Sequence, residues 1–255
     1  MRTFAFMSVL SKLFAKKKSL PPVDLARVAV DMHSHLIPGI DDGSPTMEAT
    51  LALLQRFEEL GYRKVITTPH IMVDYYRNDS TIIRSGLERV QAAAAAAGLK
   101  VQVEAAAEYF LDEHFDSLIE KNDLLTFGKK HVLFELPFMG EPNMLKSVLF
   151  KLQMGGYRPV LAHAERYGYW HKELNKIKDL IDRDVLIQVN INSLTGAYSP
   201  DVQKAAETLI DRGWVDFIGT DCHHAGHLEM VTAARTLPHV HKVIESGKLQ
   251  NALLV

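Results

Sequence analysis

Two histidines and an aspartate near residue 33 have the spacing of metal ligands. His33 and His35 closely follow residues 27–30, an apolar run that predicts a β-strand. In an extended segment, side chains two residues apart point to the same side, so both imidazoles can reach one ion. The Pro-Gly pair that follows would turn the chain and return Asp42 to the same region. Alone, such a short histidine motif is a weak signal, because it often arises by chance.

Similar side chains recur after further apolar segments. Strands are predicted at 27–30, 64–68, 101–107, 131–135, 158–162, 185–189 and 215–219. Helical patterns follow at 46–60, 80–97, 112–121, 143–154, 174–183, 201–212 and 227–235. The polar residues at the strand ends are, in order, His33 and His35, His70, Glu108, Glu135, His163, Asn190 and Asn192, and Asp221 and His223.

Alternating strands and helices predict an α/β fold. The strands are apolar enough to be covered on both faces, which favours a parallel sheet and, with seven strands, a barrel. In such a barrel the carboxyl ends of all strands converge on one face, where active sites are built. Residues far apart in the sequence would therefore meet there.

The residue types of this cluster point to divalent metal ions. Histidines and carboxylates without cysteine suit manganese, iron, zinc or magnesium rather than a structural zinc site. Five histidines and four carboxylates exceed the needs of one ion and are enough for two or three. Such centres acidify water and bind phosphoryl oxygens, which predicts hydrolysis. Arg166 could bind phosphate through paired hydrogen bonds, or it could form an ordinary salt bridge.

Composition excludes several classes of protein. The length of 255 residues and the hydrophobic content of 47% are typical of a globular protein with a sizeable core. We expect a leader at 1–26 and one domain at 27–255. A formal net charge of −2 gives no electrostatic reason to expect nucleic-acid binding. The single cysteine, Cys222, predicts a reducing compartment, by default the cytoplasm. Six residues beyond it stands Leu228 rather than an arginine, which argues against a cysteine-based phosphatase.

The N-terminal segment is apolar and then basic. Its lysines follow the apolar run, which is the wrong order for a secretory signal, and the run is too short to span a bilayer. Helical spacing over residues 4–18 predicts contact with a membrane surface, at the inner face of the membrane, or with a partner. A poorly ordered leader is the alternative.

Several short motifs occur in a specific order over residues 28–230. They are HxHxxPGxDDG at residue 33, TPH at 68, the segment around Glu108, FELPF at 134, AHxER at 162 and TDxH at 220. As a set they resemble the polymerase and histidinol phosphatase superfamily. The closer resemblance is to its capsule and exopolysaccharide branch of manganese-dependent protein-tyrosine phosphatases.

The resemblance implies a distorted (β/α)7 barrel similar to a TIM barrel, with a trinuclear metal site at the carboxyl ends of the strands. By its pattern, Arg166 would bind the substrate phosphate and manganese would be the metal. The three ions would be held by His33, His35, Glu108 and Asp221, by Glu108, Glu135 and His163, and by Asp42, His70 and His223.

The implied substrate is phosphotyrosine on the tail of a bacterial tyrosine autokinase that regulates polysaccharide export. Tyr75, Tyr76 and Tyr109 could stack on such a substrate or could simply be packing residues. The chain departs from the pattern at Ile71 and Ala164, and it lacks an arginine shortly after the final DxH. That last departure predicts altered phosphate affinity or substrate choice.

Two other functions fit the sequence. One is a small-molecule phosphatase of the same superfamily, such as a histidinol-phosphate hydrolase. The other is a regulatory protein that binds metal but acts mainly by docking on a kinase. Short loops after the second and fourth predicted strands favour an open site that admits a protein tail.

Overall fold

The fold is known from a computed structural model that describes residues 20–255. The helix predicted over residues 4–18 lies outside this range. Residues that precede the predicted domain boundary at 26 contact the rest of the chain: the Leu20 and Val23 amides donate to the carbonyls of Thr236 and Arg235. The boundary itself stays a prediction. Between residues 20 and 255, no helix combines the length and the apolar character needed to cross a membrane.

Within residues 20–255, nine short strands, paired in parallel, form two sheets with the orders β1-β2-β4 and β3-β5-β6-β7-β8-β9. This arrangement confirms the predicted α/β fold with a parallel, barrel-like sheet. The strands are β1 Val30–Asp31, β2 Lys64–Thr67, β3 His70–Ile71, β4 Gln102–Ala105, β5 Glu108–Phe110, β6 His131–Glu135, β7 Arg158–Leu161, β8 Leu186–Asn190 and β9 Phe217–Gly219.

The predicted second and third strands correspond to β2 and β4, and each is followed by a short strand, β3 or β5, that the sequence analysis did not predict. The break after β2 contains Pro69, which has no amide hydrogen to donate to a neighbouring strand. Its carbonyl still accepts from the Glu108 amide, and the Thr67 carbonyl accepts from Ala106, so β4 and β5 follow the same interruption. The division lets His70 and Glu108 begin new strands as register partners.

Helices alternate with the strands, and several begin at a capping side chain. Thr46, Asp79, Asp112 and Ser199 each accept a hydrogen bond from an amide in the first helical turn. The helices are α1 Met47–Glu59, α2 Ser80–Ala96, α3 Glu113–Lys121, α4 Leu145–Met154, α5 Asn175–Ile181, α6 Pro200–Asp211, α7 Ala225–Ala234 and α8 Pro238–Glu245.

A C-terminal segment that the sequence analysis did not predict links the first and last strands. It comprises α8 and a 3-10 helix at Asn251–Leu254. The buried Asn251 amide group donates to the carbonyls of Val30 in β1 and Ile218 in β9, and its oxygen accepts from the Ile218 amide. Further along, Ser34 and Cys222 form an isolated parallel bridge. The strands β1 and β9 are therefore connected through Asn251, and the residues that follow them are connected by the Ser34–Cys222 bridge.

Candidate metal centre

The nine residues predicted as metal ligands lie together at one end of the barrel. His33 and His35 follow β1, and Asp221 follows β9. The ligand atoms of eight of them, all but His163, form overlapping groups, in each of which all atoms lie within 4.8 Å of one another. The groups are His33, His35, Glu108 and Asp221; His35, Asp42, His70 and His223; and His70, Glu108 and Glu135.

Three of the histidines present Nε2 to the cluster because Nδ1 is already hydrogen bonded. His33 Nδ1 lies 3.1 Å from Gln188 Oε1, and His35 Nδ1 lies 2.8 Å from Asp41 Oδ2. His223 Nδ1 lies 2.9 Å from the Asp221 carbonyl oxygen. An acceptor at Nδ1 fixes the tautomer that leaves the Nε2 lone pair free for a metal.

Glu108 joins the groups through its two carboxylate oxygens. Oε2 lies 3.1 Å from His33 Nε2, 3.4 Å from His35 Nε2 and 3.4 Å from His70 Nδ1. Oε1 lies 3.0 Å from His163 Nε2, which is also 3.7 Å from Glu135 Oε2. A fully buried carboxylate in this position can bridge two ions.

His70 faces residues of two ligand sets, whereas the resemblance assigned it to one. Its Nε2 is 3.6 Å from Asp42 Oδ1, in line with the expected set of Asp42, His70 and His223. Its Nδ1 faces Glu108 and is 3.3 Å from Glu135 Oε1. That buried nitrogen also has no hydrogen-bond partner among residues 20–255.

The two oxygens of Asp221 face different surroundings. Oδ1 lies 3.4 Å from His33 Nε2 and 3.5 Å from His35 Nε2. Oδ2 accepts hydrogen bonds from Asn190 Nδ2 at 2.8 Å and Arg166 Nη1 at 3.2 Å. Asn190 and Arg166 therefore orient the carboxylate so that Oδ1 is directed at the imidazoles.

The electrostatics of the cluster favour a bound cation. Burial lowers the pKa of His33, but the charges of Glu108 and Asp221 outweigh it and raise that pKa to about 9. Burial raises the pKa of Glu108 and of Asp221, but the neighbouring histidines outweigh it and hold both well below the usual range. The carboxylates thus stay ionised and attract protons or metal ions to the imidazoles.

These residues satisfy the requirements of a divalent metal centre. Nitrogen and oxygen ligand atoms lie within 4.8 Å of one another in each group, and neighbouring acceptors set the tautomers of His33, His35 and His223. The buried His70 Nδ1 faces two carboxylates and has no hydrogen-bond partner among residues 20–255. Two strained residues support the cluster. Asp221 and His163 have positive φ angles of 50° and 32°, a region that costs energy for residues other than glycine.

Sequence reasoning missed two supporting residues. Asp41 binds His35 Nδ1 and accepts from the His70 amide at 3.1 Å. Gln188 Oε1 accepts from the His163 amide at 2.8 Å, besides contacting His33. Gln188 and Asn190 stand two residues apart in an apolar strand, and that alternation was an available signal. Gly219 is required beside them, because a Cβ there would lie 2.8 Å from His33 Cβ.

A cleft of about 440 Å³ opens over the cluster. Its further lining residues, which the sequence analysis did not select, are Met72, Phe110, Phe138, Tyr198, His224 and His227. Of the suggested stacking tyrosines, Tyr76 stacks on His70, while Tyr109 is fully buried in the core and is a packing residue. Cys222 is buried too, and burial raises the pKa of its thiol well above the usual value, which disfavours a thiolate.

Comparison with known proteins identifies the family. The family model described as capsular polysaccharide synthesis, CpsB/CapC, matches residues 29–245. The chain belongs to the CpsB/CapC family. One relative, the tyrosine-protein phosphatase YwqE of Bacillus subtilis (strain 168), is 24% identical over 196 residues, 76% of this chain and 77% of its own.

A second relative of this CpsB/CapC chain is the tyrosine-protein phosphatase CpsB of Streptococcus pneumoniae. It is 23% identical over 201 residues, 76% of this chain and 83% of its own. The fold matches a chain from the crystal structures of YwqE from Bacillus subtilis and CpsB from Streptococcus pneumoniae, described as unique metal-dependent tyrosine phosphatases. That match has a TM-score of 0.75 at 22% identity and covers 88% of this chain and 90% of the other.

Proposed function

We propose that this CpsB/CapC protein is a metal-dependent protein-tyrosine phosphatase that hydrolyses phosphotyrosine. The observation that carries the proposal is the cluster of five imidazoles and four carboxylates beneath the cleft, with Arg166 at its side. The names of its relatives as tyrosine phosphatases supply the substrate class.

We assign the ligands as the family resemblance implies them. His33, His35, Glu108 and Asp221 would hold one ion, Glu108, Glu135 and His163 a second, and Asp42, His70 and His223 a third. The contacts of His70 Nδ1 with Glu108 and Glu135 support a shared position between the last two. Manganese is the proposed metal, two or three ions in number, because the branch that the chain resembles is manganese-dependent; the mixed imidazole and carboxylate set also suits iron, magnesium and zinc, which are the alternatives.

The chain's own groups position the substrate. When bound, the ions acidify water and neutralise charge on the phosphoryl oxygens. Arg166 uses one nitrogen on Asp221 and retains further N–H donors, and its side chain is 26% exposed toward the cleft. These donors fit the paired oxygens of a phosphate. Glu108 and Asp221, which stay ionised, would retain the bound cations, and the positive charge of these cations would attract the phosphate dianion.

The proposed substrate is the phosphotyrosine tail of a bacterial tyrosine kinase that acts in capsule synthesis. Two features support it: the family's role in capsular polysaccharide synthesis, and a cleft that opens to solvent. We place the protein in the cytoplasm, at the inner face of the membrane if residues 4–18 bind lipid.

The test is hydrolysis by metal-stripped protein with Mn²⁺ added back. The substrates are a phosphotyrosine peptide, a phosphoserine peptide of the same sequence and histidinol phosphate. We expect Mn²⁺-dependent turnover of the phosphotyrosine peptide alone. Preference for histidinol phosphate would support a small-molecule phosphatase instead. No turnover of any substrate, with retained binding to the kinase, would support the docking function.

A further inference from the structure

Phe138 combines exposure with a position beside the proposed phosphate-binding group. It lies in the loop after β6, three residues beyond Glu135, and lines the cleft. Its ring centroid is 5.7 Å from the His163 ring at an interplanar angle of 25°, and 5.7 Å from the Tyr167 ring at 29°. Despite these contacts, 47% of the residue is exposed. An exposed phenyl group in a cleft otherwise rich in charge suggests a ligand-binding role.

Arg166 lies between two aromatic rings. Its Cζ is 4.9 Å from the Phe138 centroid and 4.7 Å from the Tyr198 centroid, while its Nη1 donates to Asp221. The guanidinium is thus held in a fixed orientation before any ligand binds, which lowers the entropy lost on binding. A phosphate on its remaining donors would carry its ester substituent close to Phe138.

We propose that Phe138 is a specificity-determining residue that stacks with the aromatic ring of the substrate and so favours aryl over alkyl phosphate monoesters. The inference rests on the proposed phosphatase function and adds the residue that selects the substrate class. Offset or edge-to-face contact between two aromatic rings strengthens a complex by about two- to twelvefold beyond the burial of area. A seryl phosphate has no ring and gains no such contact.

The test compares two non-hydrolysable ligands, phenylphosphonate and methylphosphonate, which differ in the ring. Their affinities for the Mn²⁺-loaded full chain are measured by calorimetry for the wild type, Phe138→Ala and Phe138→Tyr. The matched control is Phe150→Ala, since Phe150 is also exposed, at 64%, but lies on α4 outside the cleft.

We expect the wild type to prefer phenylphosphonate. Phe138→Ala should reduce that preference about three- to tenfold and change methylphosphonate affinity less than about twofold. Phe138→Tyr and Phe150→Ala should keep the preference. In turnover of a phosphotyrosine peptide, Phe138→Ala should raise KM by a similar factor with little change in kcat.

Three results would overturn the proposal. The first is equal weakening of both ligands in Phe138→Ala, which would mean that Phe138 only supports Arg166. The second is an unchanged preference for phenylphosphonate in Phe138→Ala. The third is failure of the wild type to bind either phosphonate. If both phosphonates bind with the expected preference but phosphotyrosine is not hydrolysed, the phosphatase proposal fails while the aryl-binding role of Phe138 stands.

Discussion

The two ends of the barrel interior are built from opposite kinds of side chain. The carboxyl end, where β1 and β9 finish and β3 and β5 begin, holds buried imidazoles and carboxylates such as His33 and Glu108. The inner core toward the amino end is a cluster of apolar residues that includes Phe127, Phe217 and Leu254. Both regions are shielded from water, but only the apolar one gains free energy from burial alone.

The carboxyl end carries the candidate site, and the apolar cluster stabilises the fold. Burying charged groups costs free energy unless partners compensate, and here the carboxylates, the imidazoles and the proposed ions compensate one another. The apolar cluster and the C-terminal segment, through Asn251 and Leu254, hold the strands that carry the ligands. Substitutions at the carboxyl end should therefore reduce activity, and those in the apolar cluster should reduce stability.

The largest expected effect is at the proposed ligands. His33→Ala or Asp221→Asn should lower kcat/KM for a phosphotyrosine peptide by about 10³-fold or more, because losing an ion removes several kcal/mol of transition-state stabilisation. Bound metal should fall with it, as measured by elemental analysis. His239→Ala, at a histidine on α8 that pairs with Asp211, is the control. Wild-type rates in metal-replete His33→Ala would refute its assignment as a ligand.

A substitution in the apolar cluster should lower stability and leave activity unchanged. Leu254→Ala should lower the free energy of unfolding by about 2–4 kcal/mol, because it leaves a cavity where a buried side chain packs. Urea denaturation measures the loss, and kcat per folded molecule should stay at the wild-type level. Leu253→Ala is a matched control, since Leu253 is 78% exposed in the same turn. Equal losses for Leu253 and Leu254 would contradict the packing described.

Substitution of Arg166 should weaken substrate binding and leave metal binding unchanged. Arg166→Ala should raise KM for the phosphotyrosine peptide about 10- to 100-fold, because a charge-assisted hydrogen bond contributes about 1.5–3 kcal/mol. Metal content should not change. Arg212→Ala supplies the comparison, since this arginine also packs on an aromatic ring, Trp214, but lies outside the cleft. Metal loss in Arg166→Ala would show that its hydrogen bond to Asp221 matters more than phosphate binding.

The smallest effect concerns His131, whose ring packs against Phe127 and Phe217. Burial, with a smaller contribution from Arg158, lowers its pKa to about 4. In the unfolded chain the pKa of this imidazole is the usual 6.5, so stability should fall as pH drops from 6.5 to 4 and then level off.

Between pH 6.5 and pH 5 the loss at His131 should be on the order of 1–2 kcal/mol. Denaturation of wild type and His131→Phe at several pH values isolates it, because all other titrating groups are shared. A difference between the two proteins that does not depend on pH would contradict the role given to this histidine.

Sequence patterns predicted the parts of the fold that depend on local order. The alternation of strands and helices predicted the α/β class, and the strand-end positions predicted that His33, His70 and Glu108 share one face. Spacing could not show the contact of Gln188 with His33, which joins residues 155 positions apart, nor the contacts of Asn251 with β1 and β9. Such contacts depend on how the sheet curls, which residue spacing does not specify.

The most direct test of the metal centre is anomalous X-ray diffraction from crystals of the protein grown with Mn²⁺. The account predicts two or three anomalous peaks within about 2.0–2.3 Å of the assigned nitrogen and oxygen atoms, with Glu108 contacting two of them. A single peak, or peaks only outside these nine side chains, would contradict it.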